Sequence, residues 1–183
     1  MKKIKVEIKG VAPLLQHRFP EEEHGENKPR AKKQKYSAQE EAEKALYKTP
    51  DGKIYEPSEH ILGAMIKAGS FFKFEGKRTF KDIIKAGIVI EPDAIPLKHN
   101  GWKIDARNVV VQRSRIMRYR PRFDEWSLKF TIVVLDEDNI PIPTLKEILE
   151  KAGHLGIGDY RPRFGRFMVT EFKEIGDEQG KGR

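Results

Sequence analysis

Ile4, Val6 and Ile8 alternate with Lys3, Lys5, Glu7 and Lys9, the period-two pattern that predicts a strand over Lys2 to Lys9 with one face buried. From Gln16 to Tyr36 there is no periodicity; the stretch is acidic at Glu21 to Glu23 and basic from Lys28 to Lys35, and is expected to be a long exposed loop. Helical spacing begins at Ser37, which with Glu40 forms a capping-box pair ahead of the apolar stripe Ala38, Ala42, Ala45 and Leu46. After a TPDGK turn, a short extended piece ends at Pro57, and Ser58 is expected to cap a helix carrying Ile61, Leu62, Met65 and Ile66 on one side. Thr79 to Lys85 predicts a helical turn and GIVIEP a short strand.

The second half is more regular. Asn108 to Arg118 predicts a long strand, and Trp126 to Leu135 its antiparallel partner, with Trp126, Leu128, Phe130, Ile132 and Val134 on one face and Ser127, Lys129 and Thr131 on the other. Thr144 and Glu147 read as a second capping box opening a helix that ends near Gly153; a last strand, Arg166 to Lys173, precedes a frayed tail. This order predicts an α+β fold, a ferredoxin-like (RRM-like) βαββαβ domain with an antiparallel sheet. Residues 1–174 are expected to form that single domain, with loop insertions at about 17–56 and 70–106 and a tail at 175–183. Its two central strands would be the first and third, whose open faces carry Lys3, Lys5, Lys9 and Lys129 and no aromatic. Bases would then have to stack on loops and strand ends, unlike in an RNA-recognition motif.

Charge sharpens this picture. The net charge is +8, and between Arg107 and Phe123 stand six arginines (Arg107, Arg113, Arg115, Arg118, Arg120 and Arg122) with no acid. Arginines interleaved with aromatics suit a phosphate backbone and base stacking; the alternative is structural arginines paired with acids elsewhere in the fold. The string YRPRF occurs twice, at Tyr119 to Phe123 and Tyr160 to Phe164, each proline restricting the backbone around its arginines. Two such brackets, one expected to join strands two and three and the other the last helix to the last strand, are expected to grip one nucleic-acid strand. The segment GIGDYRPRFGR adds Gly156, Gly158 and Gly165, which permit close approach of backbone amides to a phosphate, and Arg161, Arg163 and Arg166, which add charge; a helix C-cap at Gly153 accounts for only part of it. The candidate nucleic-acid contacts are therefore Arg113, Arg115, Arg118, Tyr119, Arg120, Arg122, Phe123, Gly156, Gly158, Tyr160, Arg161, Arg163, Phe164, Gly165 and Arg166, with Lys129 on the sheet.

Other chemistry is sparse. There is no cysteine, so no disulfide or thiolate site exists. The histidines lack metal-ligand spacing, and no nucleotide-binding motif is present; neither metal nor cofactor is expected. His17 and His154 are weak candidates for a general base in metal-independent RNA cleavage. The N-terminus has no signal-peptide h-region and no apolar run has membrane-spanning length, so a cytoplasmic protein without membrane partners is expected. The abundance of Lys, Glu and Ile has the character of a thermophile.

Two motifs resemble a known family. GKIYEPSEHILGAM (Gly52 to Met65) is similar to the stretch introducing the first helix of the RAMP superfamily of CRISPR-associated RNA-binding proteins, with Pro57, Ile61, Gly63 and Ala64 on the pattern. GIGDYRPRFGRFMV is similar to its glycine-rich loop, with Gly156, Gly158, Arg161 and Gly165 in place; Ser58 stands where the family usually has glycine, and no thumb hairpin is evident. The resemblance implies a ferredoxin-like domain holding one RNA strand, either as a non-catalytic backbone subunit with other copies or effector subunits as partners, or as a guide-processing nuclease. The function expected is non-catalytic binding of single-stranded RNA or DNA, RNA favoured; the alternatives are a small RNA endonuclease and a structural or interaction protein.

Overall fold

In a computed structural model, which describes residues 1–19 and 37–176, the chain runs β1 (Lys2–Gly10), β2 (Leu14–Leu15), α1 (Ala38–Lys44), β3 (Tyr55–Pro57), α2 (Ser58–Gly69), α3 (Phe80–Gly87), β4 (Ile88–Glu91), β5 (Ala94–His99), β6 (Lys103–Val111), β7 (Ser114–Phe123), β8 (Trp126–Val134), α4 (Ile142–Leu155) and β9 (Phe167–Ile175). The main sheet has β8 and β1 at its centre. β1 pairs β8 along its length, β9 pairs the other edge of β1, and the far edge of β8 is shared by β5 near its start and β4 near its end, all antiparallel. This β9-β1-β8-β4/β5 order, with α2 and α4 as the crossovers, is the ferredoxin-like arrangement. Alternation does what the sequence predicts: Ile4, Val6 and Ile8 of β1 and Leu128, Phe130, Ile132 and Val134 of β8 enter one core with Ile61 and Met65 of α2 and Leu145, Ile148 and Leu149 of α4.

The second ferredoxin strand is not Asn108 to Arg118. That stretch is split between β6 and β7, which form a hairpin in a separate three-stranded sheet with β2, and β8 pairs with neither. The chain reverses at Gln112 and Arg113, both with positive φ (47° and 66°). Tight hairpin turns ordinarily use glycine or asparagine there, so the reversal carries no sequence signature. The role assigned to that strand falls to β4 and β5. Nor does the first YRPRF copy join two strands: it lies within β7, and the hairpin that contains it is long and exposes Val110 and Met117.

Capping shows a similar division. Ser37 and Glu40 form their reciprocal box (3.2 and 2.8 Å) and Thr79 caps α3. Ser58 does not cap α2, nor Thr144 α4: Pro57 and Pro141 hold those cap positions with no side-chain bond, and α4 runs past Gly153 to Gly156. Gly153 is instead a packing position, where a Cβ would lie 2.3 Å from the Phe167 carbonyl oxygen.

Gln16, expected in an exposed loop, is buried. Its Nε2 donates to the Tyr55 carbonyl and to Glu56 Oε2 (both 2.8 Å), its Oε1 accepts from the Tyr47 N–H (3.1 Å), and its own N–H donates to the Pro121 carbonyl (3.2 Å). A buried amide with its capacity so fully used ties β2 and β7 to the α1–β3 segment. Glu21 to Glu23 and the basic run Lys28 to Lys35 lie outside the described residues, as does most of the tail.

Candidate nucleic-acid interface

The two YRPRF copies meet. In the first, Arg120 is buried with Nε 2.6 Å from Asp159 Oδ2, the residue just before the second copy. Neither Nε nor Nη1 of Arg120 has an acceptor in line with its N–H, so the pair is held by charge at contact distance rather than by an aligned hydrogen bond. Arg122 bonds Asp124 (2.7 Å), lies 3.7 Å from Asp105, and sits 5.7 Å from the centroid of the Phe164 ring of the second copy. Arg107 completes the clasp: Asp105 accepts from its Nε and Nη2 (2.7 and 3.0 Å), and its guanidinium lies over Phe164 (4.7 Å) and Tyr160 (5.3 Å), whose rings meet edge to face. Phe123 is fully buried against His99, and Phe164 is 4% exposed, so neither offers a free face for a base. Tyr119 N–H and Arg118 both turn to Glu41 of α1 (3.2 and 3.6 Å).

The glycine-rich loop is braced by its own backbone. Gly156 caps α4 with φ 78°, Ile157 N–H donates to the Gly165 carbonyl, Asp159 N–H to Leu15 and Gly165 N–H to Pro13. A Cβ on Gly165 would stand 1.7 Å from the Ile157 carbonyl oxygen, and one on Gly158 2.5 Å from that of Leu15, with positive φ at both. The glycines are thus required by loop packing. Within the loop, the neighbouring His17 ring (Nδ1 to Oδ2, 3.4 Å), the Arg120 charge and the Tyr160 N–H outweigh partial burial and hold the Asp159 carboxyl at about 2.

The clasp divides the cations. Arg107, Arg118, Arg120 and Arg122 have acid partners, as does Lys129 with Glu7 (3.3 Å). Arg113 and Arg115 at the hairpin tip, and Arg161, Arg163 and Arg166 on and beside the loop, are exposed and have no ion pair among the described residues. Arg161 and Pro162 form one wall of an open cleft of about 410 Å³, with Tyr160 (43% exposed), Asp159 and Gly156 beside them and Ala64 and Lys67 of α2 opposite. Gly63, one residue away on α2, has open space where a Cβ would be. His154 is exposed on α4, and no three His, Asp or Glu side chains are grouped for a metal among the described residues.

Sequence reasoning missed Lys67, Asp105 and Asp159. The acid-free window from Arg107 to Phe123 ends one residue before Asp124 and begins two after Asp105, and antiparallel pairing sets Asp105 directly opposite Arg120. Lys67 had a signal, lying one turn beyond Gly63 on the same side of α2.

No helix among the described residues is long and apolar enough to cross a membrane. No family model and no curated protein matches the sequence. The fold is similar to that of a chain in the cryo-EM structure of the Type III-B Cmr-beta bound to cognate target RNA, with a TM-score of 0.62 at 10% identity. The match covers 95% of this chain and 60% of the other, so the chain spans less than two thirds of the protein it is similar to. What the two share at that identity is an antiparallel α+β fold of the ferredoxin-like kind.

Proposed function

We propose that this chain binds single-stranded nucleic acid, RNA in preference to DNA, without cleaving it, as one subunit of a CRISPR-type effector with further subunits or copies as partners. One observation carries the reading: Arg161 and Arg163 stand exposed, without counter-ions among the described residues, on a loop whose backbone is fixed at both ends, beside a cleft walled by Tyr160 and Lys67. Fixed cations next to an exposed aromatic suit a phosphate backbone with a base stacked alongside. Arg113 and Arg115 add a second contact on the hairpin. The similarity to a chain of an RNA-bound assembly favours RNA.

The test is fluorescence anisotropy of labelled single-stranded RNA, single-stranded DNA and duplex across salt, with Arg161→Ala/Arg163→Ala beside the wild type. The expected result is tightest binding of single-stranded RNA, a log-log salt slope of about −3.5 for about five phosphate contacts, and a clear loss in the variant. Absence of binding, or a variant equal to wild type, overturns the reading. Metal-independent RNA cleavage is the second reading, favoured by the placement of His17 Nδ1 against Asp159, which leaves Nε2 free to take a 2′-hydroxyl proton. It predicts a discrete product from labelled RNA in chelator, lost in His17→Ala.

A further inference from the structure

On the face of the sheet away from the helices, three strands set two lysines on either side of one hydroxyl. Ser127 of β8 is the register partner of both Lys9 of β1 and Lys98 of β5. Directly paired residues project from the same face, and two interstrand spacings put the lysine Cα atoms about 10 Å apart, within reach of two four-carbon arms converging over Ser127. Lys9 and Lys98 are exposed and form no ion pair among the described residues, and the Ser127 hydroxyl makes no hydrogen bond among them. All three line an open cleft of about 560 Å³.

Two of the three carboxylates in the same cleft are paired with cations from outside it. Glu7 pairs with Lys129 (3.3 Å), Glu171 with Lys5 (3.6 Å), and Glu125 accepts from Asn100 (2.5 Å). Glu125 keeps its charge, since its partner is a neutral amide; against that single unpaired carboxylate stand two unpaired ammonium groups and a hydroxyl, the donor set of a tetrahedral oxyanion. The two clefts share no lining residue, and exposed Arg166 marks the way from one to the other: its carbonyl accepts the Val11 N–H (2.9 Å) and it immediately precedes Phe167, the register partner of Gly10, which puts it at the end of the sheet next to the strand that carries Lys9.

We infer that Lys9, Ser127 and Lys98 seat a backbone phosphate of the same single strand, which passes from the glycine-rich loop over the end of the sheet at Arg166 and onto its open face. The inference rests on the single-strand reading above. Five-nucleotide and 15-nucleotide labelled single strands separate the two, because only the longer one spans both places. Lys9→Ala/Lys98→Ala is expected to leave 5-mer affinity unchanged, to weaken the 15-mer about five- to tenfold, and to lower its salt slope by about 0.7, the share of one phosphate. Ser127→Ala is expected to weaken the 15-mer about twofold with the slope unchanged. An unchanged 15-mer affinity and slope in the lysine variant overturns the seat while leaving the loop site intact. If the wild type binds neither oligonucleotide, the single-strand reading has failed and the seat is judged by amide NMR shifts on titration with inorganic phosphate. Saturable shifts at Ser127 and Lys98, lost in the lysine variant, retain an oxyanion seat; flat shifts remove it.

Discussion

Arg122 of the first YRPRF copy lies over the ring of Phe164 in the second, 5.7 Å from its centroid. With Arg107 on the same ring and Arg120 beside Asp159, the repeated motif is largely a clasp between β7 and the glycine-rich loop. Only the arginines of the second copy are left facing outward, and they are the ones assigned to ligand.

The clasp is measurable by chemical denaturation. Phe164→Ala is expected to cost about 3–5 kcal/mol, as for other buried aromatics. Should that variant fail to fold, Phe164→Leu removes the ring with a smaller loss of buried volume. A double-mutant cycle between Phe164→Leu and Arg122→Ala is expected to return a coupling of about 0.5–1 kcal/mol, and a coupling of zero would show that the stacking contributes nothing.

Two glycines separate packing from ligand approach. Gly165→Ala is expected to destabilise by more than about 3 kcal/mol, because the new Cβ collides with the Ile157 carbonyl at positive φ. Gly63→Ala, in open space within α2, is expected to stabilise by about 0.5–1 kcal/mol. Gly63→Trp, placed beside the cleft, is expected to keep the fold and lose at least tenfold in RNA affinity by anisotropy; unchanged affinity would place the strand elsewhere.

Acid weakens the loop through Asp159. Its folded carboxyl is held at about 2, below the ordinary 3.8, so folding favours the ionised form. That stabilisation is complete above about pH 4 and is lost as pH falls through 2. Discounted for its partial exposure, it is worth about 1–2 kcal/mol. Urea denaturation of wild type and Asp159→Asn should therefore differ at pH 5 and converge near pH 2; a constant difference would assign the effect to shape rather than charge.

The hairpin tip should matter for binding and not for folding. Arg113→Ala/Arg115→Ala is expected to leave the melting temperature within about 1 °C, given that surface substitutions rarely exceed 0.5 kcal/mol. The same variant should lower the salt slope for single-stranded RNA by up to about 1.4. Arg120→Ala makes the contrast: it strips a half-buried carboxylate of its partner and should lower the melting temperature by several degrees.

The ferredoxin-like core was legible because β1, β8 and α2 each bury a periodic face, and such a pattern survives any insertion around it. The hairpin was not legible, because Gln112 and Arg113 adopt left-handed backbone without glycine, and three consecutive valines before them mask the alternation. The site was legible in residue type and not in partnership. Counting arginines found the cluster, but only the fold, which brings Asp159 to Arg120, Glu41 to Arg118 and Asp105 to Arg107 and Arg122, reveals which of them are neutralised.

β2 is two residues long, yet it has a neighbour on each side: Leu14 and Leu15 pair with Phe123 and Arg122 of the hairpin, while the Leu15 and Pro13 carbonyls take the loop amides of Asp159 and Gly165. The loop and the base of the hairpin therefore share a common anchor. A strand held at both would meet a ruler of constant length, and the number of nucleotides between its two grips would be a property of the fold rather than of the strand.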